Sequence, residues 1–355
     1  MGGGGPAGAR SASLTEQRFG ASAPFSIGIE EELMILDAET FAPVAGVEKL
    51  VRGAEKRSLP GRLKTELHAS IVELNTDVCA DVDQAVEALR ELRTTAAWLA
   101  DEQGWALAAA GAHPTAPLES LPVVQEERYL AMMRDVGHAA RRQGVSGLHV
   151  HLGMPSAEEC HATLEAILPW LPVVLALSAN SPFLEGEPNG MWSNRAPILA
   201  ELPRAGAPPA FRSYDAWEAW VERLVALGVM ADYTRIWWDV RPHPRFGTLE
   251  VRMPDQPTAL ERTAVLARLI RRLAEVAPPR EPDPASRADY AQNRWAAARS
   301  GLDAELIHPD GDRCVRAREL ARDLLGEEPP EPEAARQLEV GAAAAAADLV
   351  ARTLA

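Results

Sequence analysis

The sequence predicts an α+β fold built on a mainly antiparallel sheet. Three observations lead there. Runs rich in apolar residues, with polar residues recurring at alternate positions, read as strands near 25–36, 70–78, 147–153 and 246–253. Helical runs fall between them irregularly and not after every strand, which disfavours a doubly wound parallel sheet. No G-x-x-x-x-G-K-[ST] and no G-x-G-x-x-G after a strand is present, which excludes a P-loop and gives no sign of a dinucleotide fold.

Taken in order, the strand at 25–36 is expected to end in a turn at 37–40. After the strand at 70–78, Asp81 or Asp83 opens a helix reaching about 103, because Val82, Val86, Leu89, Leu92 and Trp98 recur at helical spacing. A short buried strand follows at 105–110, a helix at 125–142, the strand at 147–153 and a helix at 157–179. The stretch 181–212 reads as a long Pro- and Gly-containing loop, a length that usually marks function. Further expected elements are a helix at 214–227, strands at 236–240 and 246–253 joined by a Pro-rich turn, and helices at 261–276 and 289–299. Residues 1–23, rich in Gly, Ala and Ser without an apolar core, are expected to be a disordered tail and not a secretory signal. One catalytic domain is expected at 24–325, then an acidic, Pro-rich linker and a C-terminal helix at 326–355.

Composition narrows the function. A net charge of −15 argues against a nucleic-acid partner, which needs a basic footprint, but permits a nucleotide bridged by Mg²⁺. Cys79, Cys160 and Cys314 lie far apart, which suggests reduced thiols, a cytoplasmic location and no thiolate zinc site. The most apolar stretch, 166–179, is short and carries Pro169 and Pro172, so no membrane span is expected.

Four segments carry the chemistry. In Gly28-Ile29-Glu30-Glu31-Glu32-Leu33, strand alternation puts Glu30 and Glu32 on one face and Glu31 on the other. Two carboxylates on one face repel unless a cation lies between them, although a solvated edge strand reads the same way. Glu66 and Glu73 follow at a spacing of seven; a single strand would need a bend to aim both the same way. His149 and His151 share a face in Gly147-Leu148-His149-Val150-His151, an arrangement that suits a metal but also ordinary half-buried histidines. Thr248, Glu250 and Arg252 share a face in the last strand, where a carboxylate beside a guanidinium suits phosphoryl transfer or a plain salt bridge. Together these strands supply oxygen ligands with one or two imidazoles, a set suited to Mg²⁺ or Mn²⁺.

With these motifs in view, the chain resembles the carboxylate–amine ligase family called glutamate–cysteine ligase type 2, related in fold to glutamine synthetase. The resemblance rests on GIEEEL at 28–33, ELHASIVELNT at 66–76, GAHP at 111–114, SGLHVHLG at 146–153, DVRPHPRFGTLEVRMPD at 239–255 and NRWAAARSGLDAELI at 293–307. It implies a curved sheet whose concave face holds ATP and Mg²⁺. One ion would be held by Glu32, Glu66 and Glu73, a second by Glu30, His149 and Glu250. Arg252 would contact the transferred phosphoryl group, with Arg241 a candidate for phosphate or substrate carboxylate. His151, Lys64 and Arg195 are candidates for contacts to the nucleotide. The implied reaction joins glutamate, or a similar carboxylate, to cysteine or another amine through an acyl phosphate, in a homodimer. Two other readings compete: a metal-dependent amidohydrolase using the His149-x-His151 strand, and a nucleotide-binding relative without turnover. His113, Asn194, Asn293, Arg294 and Arg299 are lesser polar candidates.

Overall fold

In the computed structural model, which describes residues 16–355, seven strands form the main sheet. We number them β1 (Ile27–Asp37), β2 (Gly61–Thr65), β3 (Ile71–Thr76), β4 (Trp105–Ala108), β5 (Leu148–Gly153), β6 (Val240–His243) and β7 (Thr248–Val251). The order is β6-β7-β5-β1-β3-β2, with β4 also on β1, and every pairing is antiparallel. β1 is central because its length lets β5 take its first half and β4 its second half along one edge, while β3 takes the other. The His149-x-His151 strand thus sits inside an antiparallel sheet, which removes the barrel architecture that the amidohydrolase reading needs.

Alternation sorts the side chains as the sequence implies. Ile27, Ile29, Leu148, Val150, Leu152, Leu249 and Val251 point to the back, where they are buried with residues of the helices Val82–Asp101, Ala157–Ile167, Leu171–Ser178 and Leu260–Val276. The front carries the polar residues. The helical run Ala157–Ser178 is apolar enough to cross a membrane by length and composition, but 72% of its apolar window is buried, so it is a core helix here.

Glu31 also points back and is fully buried. Arg93, itself 1% exposed, donates to both its oxygens at 2.7 and 2.8 Å and to the carbonyls of Thr258 and Thr353. Thr263 Oγ1 and Gln256 Nε2 donate to Glu31 as well, so neither charge is left unpaired. The C-terminal segment therefore joins the core. Thr353 Oγ1 accepts from Ala109 N, and Glu333 accepts from the Thr258 and Ala259 amides. Two helices, Glu333–Val340 and Ala342–Thr353, stand where one was expected, and they pack against the same body as the rest.

Several other expectations need correction. Within the expected tail at 1–23, residues 1–15 lie outside the described residues, whereas 16–23 are docked: Arg18 N donates to Pro244 O, Gly20 N to Met154 O, and Phe19 packs edge-on to Tyr214. That docking requires Gly247, which turns at φ +67° and whose missing Cβ leaves room for the Arg18 carbonyl. The helix expected at 125–142 breaks at Gly137, φ 70°, into Glu127–Val136 and His138–Arg141. The loop at 181–212 contains the short helix Arg195–Leu199. β2 and the helix Val47–Ala54 were not expected at all: each is short, and β2 carries Arg62 and Lys64 within five residues.

Candidate active site

Strand register assembles the front face. Across β2, β3 and β1, Lys64 pairs Glu73 and Glu73 pairs Glu32. One step along, Asn75 pairs Glu30 and Glu30 pairs His149. One step further, His151 pairs Glu250 and Glu250 pairs Arg241. Glu66 lies just past β2, before the chain turns back into β3. The spacing of seven therefore spans a hairpin and not one strand, which is how Glu66 and Glu73 come to face the same point.

The result is two triads. Ligand atoms of Glu30, His149 and Glu250 all lie within 4.8 Å of one another, as do those of Glu32, Glu66 and Glu73. His149 links the triads: Nδ1 is 3.1 Å from Glu30 and Nε2 is 3.7 Å from Glu32. Both triads open into one cavity of about 480 Å³, which Lys64, Arg128, Trp237, Arg241 and Arg252 also line. A second cavity of about 420 Å³ adjoins at Glu30, Lys64 and His151, with Ile27, Ile29, Val78 and Phe246 among its walls.

The triads differ in charge balance. Burial pushes Glu250 up, but Arg241 and Arg252 outweigh it and hold the carboxyl well below the usual range. Burial likewise raises Glu30, yet the hydrogen bond with His149 and the nearby His151 ring hold it low. Asn75 Nδ2 adds a bond to Glu30 at 2.6 Å. In the second triad, burial and the neighbouring Glu66 push Glu32 up to about 8, and burial and Glu30 push Glu73 up to about 7. Burial also raises Glu66. Lys64, at 3.1 Å from Glu73, is the triad's one ion-pair partner among the described residues, and Gly147 N donates to Glu32 at 2.5 Å.

This donor set fits hard divalent cations. It is oxygen-rich with one imidazole in the first triad, and three carboxylates with a single lysine partner make the second. His151 Nε2 adds a buried nitrogen without a hydrogen-bond partner, 3.6 Å from Glu30 and 3.9 Å from Glu250, while its Nδ1 is held at 2.9 Å from Thr248 Oγ1. Burial drives His149 down to about 4, so its ring is neutral and able to ligate.

Two arginines differ from expectation. Arg195 does not line the cavity: its guanidinium lies against Gly147 and donates at 3.0 Å to the carbonyls of Met253 and Arg252, so it shapes the wall behind the site. Arg241 lines the cavity but donates to Glu250 at 2.6 Å and to the carbonyls of Thr234 and Ile236, so its donors already have partners. It acts on the site by holding Glu250. Arg252 bonds Glu250 through Nη1, while its buried Nε has no partner. Asn293 and Arg294 are structural: the first bonds Ile307, the second grips the buried Asp239 at 2.6 Å. Sequence reasoning missed Asn75 and Gln256. Asn75 shares a strand face with Glu73, a signal that was there to use. Gln256 Oε1 accepts from Glu32 N at 3.1 Å, across the gap between β5 and β4, and nothing local announces it.

One face of the antiparallel sheet thus presents two carboxylate-rich triads beside Arg252, itself paired with Glu250. The sequence model described as Glutamate-cysteine ligase family 2 (GCS2) matches residues 26–353, and the chain belongs to that family. Relatives agree. A Rubrobacter xylanophilus protein provisionally named glutamate–cysteine ligase 2-3 is 41% identical over 88% of this chain and 85% of its own length. A Natronomonas pharaonis protein named glutamate–cysteine ligase is 34% identical over 83% of each chain. The fold is shared with the Francisella tularensis glutamate–cysteine ligase solved in complex with AMP, with a TM-score of 0.60 at 15% identity over 94% of this chain and 84% of that one.

Proposed function

We propose that this enzyme uses ATP to join a substrate carboxylate, the side-chain carboxylate of glutamate or a close analogue, to the amine of cysteine or another small amine. The observation that carries the proposal is the pair of triads on one face, with Arg252 lining the same cavity. The relatives' names support the substrate pair.

Glu30, His149 and Glu250 would hold one Mg²⁺ or Mn²⁺, and Glu32, Glu66 and Glu73 another. Such ions, when bound, neutralise phosphate oxygens. The chain's own residues supply position and charge, as phosphoryl transfer requires. Arg252 faces the transferred group and offsets the charge that develops on it. Arg241 fixes Glu250, and Lys64 and His151 stand where the two cavities meet, in reach of the nucleotide's phosphates. In the first step a carboxylate oxygen attacks the γ-phosphorus and ADP leaves, giving an acyl phosphate. In the second, the amine nitrogen attacks the acyl carbon, loses a proton, and inorganic phosphate leaves. The three free thiols suit a cytoplasmic enzyme.

The test combines purified protein, Mg²⁺, ATP and glutamate with a panel of amines. Amine-stimulated ADP release with the matching amide mass is expected. ATP binding without amine-stimulated release by any amine would instead favour a relative without turnover.

A further inference from the structure

Six carboxylates line the cavity over the triads. Five are the glutamates of the triads themselves. The sixth, Asp232, belongs to neither triad and has no ion-pair partner among the described residues. The imidazoles of the cavity are engaged elsewhere. His149 is a triad member, and His151 Nε2 stands 3.6 Å from Glu30 and 3.9 Å from Glu250. His243 is stacked on Phe246 at 4.1 Å, with Nδ1 against the Tyr233 hydroxyl at 3.3 Å, and burial drives it down to about 3.

Asp232 is also fixed. It precedes the short helical turn Tyr233–Arg235 and caps it with one oxygen: Oδ1 accepts from Thr234 N at 2.7 Å and from Thr234 Oγ1 at 2.5 Å. Among the described residues no donor reaches Oδ2, and the side chain is half-buried at the cavity wall. The turn is tied to the first triad. Arg241 donates to the carbonyls of Thr234 at 3.2 Å and Ile236 at 2.5 Å, and to Glu250 at 2.6 Å. One carboxylate oxygen is thus committed to the backbone, and the other is held free at a set place relative to Glu250. Capping alone does not call for an acid here, because Asn and Ser cap a helical turn as well as Asp does.

We propose that Asp232 is the catalytic base of the second step: its free Oδ2 receives the ammonium group of the incoming amine and takes a proton from it. The proposal rests on the ligase reading above. An amine arrives mostly as ammonium at neutral pH, and its nitrogen cannot attack until a lone pair is free. The proton passes from nitrogen to Asp232. The freed pair forms the N–C bond, the C–O bond to phosphorus-bound oxygen breaks, and its electron pair leaves on inorganic phosphate. The second nitrogen proton of the adduct goes to that phosphate. The triad glutamates are committed to cations in this reading, so Asp232 is the cavity carboxylate left for the task. Tyr129, Met132 and Trp237 line the same cavity and offer the carbon part of the amine an apolar wall.

The test uses Asp232→Asn and Asp232→Ser, which keep a cap on Thr234 N and remove the base, and follows the two steps separately. Positional isotope exchange in ATP with glutamate and no amine reports the first step alone, and should stay within about 2-fold of wild type in both variants. Amide formation at neutral pH with an active alkyl amine should fall about 10²-fold. With hydroxylamine, which is largely neutral at that pH and needs no base, product formation should stay within about 3-fold. The deficit with the alkyl amine should narrow as pH rises toward about 9 and free amine becomes plentiful. An equal loss with both amines, or a matching loss of isotope exchange, would assign Asp232 to structure and overturn the proposal. Wild-type amide formation in both variants would overturn it too, with the ligase reading left standing. If wild type joins glutamate to neither hydroxylamine nor any other amine, the ligase reading fails and the base falls with it.

Discussion

The two triads share one face and one cavity, yet they are built on opposite electrostatic plans. Glu30, His149 and Glu250 are balanced by the protein: Arg241, Arg252, His151 and Asn75 all bear on them, and both carboxyls are held low. Glu32, Glu66 and Glu73 have Lys64 as their one ion-pair partner among the described residues, and burial and mutual repulsion leave all three carboxyls raised. The first triad is preorganised whether or not a cation is present. The second is strained until one arrives, so it is the part of the site that should report metal most strongly.

The largest effect on turnover is expected from the balanced triad. Glu250→Gln keeps the shape but removes the charge that Arg241 and Arg252 share, and ADP release should fall about 10³-fold or more. Leaving two buried guanidinium groups without an acid should also lower Tm clearly. Activity near wild type would remove Glu250 from the site.

Glu32→Gln tests the other plan. Turnover should fall about 10²-fold, but without metal the variant should be at least as stable as wild type, because it deletes a repulsion. The pH dependence follows from the same shift. The Glu32 carboxyl sits near 8 in the fold and near 4.5 when unfolded, so between those values the folded state binds more protons than the unfolded one. Metal-free stability from this group is therefore fully present below pH 4.5 and lost as pH rises toward 8. Glu73 adds to the loss up to about 7. Mg²⁺ should restore it, so the Mg²⁺-induced rise in Tm should grow from pH 6 to pH 8.5. A rise independent of pH would contradict this reading of the second triad.

Gln256→Leu should have a smaller effect. Glu32 N loses its acceptor, and turnover at limiting Mg²⁺ should drop about 10-fold, with recovery at saturating Mg²⁺. A loss that Mg²⁺ does not relieve would mean that Gln256 is needed only for folding. The smallest effect is expected for Lys64→Met, about 3-fold in the Mg²⁺ activation constant, because Lys64 is one-third exposed and water already screens its pair with Glu73.

The contrast between the triads was partly legible in the sequence. Strand parity alone separated Glu30 and Glu32 from Glu31 and grouped Glu250 with Arg252, because alternation is a local rule. It could not join Glu66 to Glu73, since the turn after β2 is not written in a hydrophobic period; the family resemblance supplied that grouping. The balance of charge was beyond reach. Whether Glu250 has Arg241 beside it depends on the pairing of β6 with β7, and whether Glu31 is buried depends on Arg93, 62 residues away. Arg195 misled for the same reason: a polar residue in a long loop looks available until packing turns it toward backbone carbonyls.

The central claim is that one face holds two separate cation sites. The most direct measurement is a Mn²⁺ titration of the purified chain with a non-hydrolysable ATP analogue, read by electron paramagnetic resonance. Two ions per wild-type chain are expected, with Glu32→Gln and Glu250→Gln each losing one. A single ion in wild type, or one site lost in both variants, would contradict it.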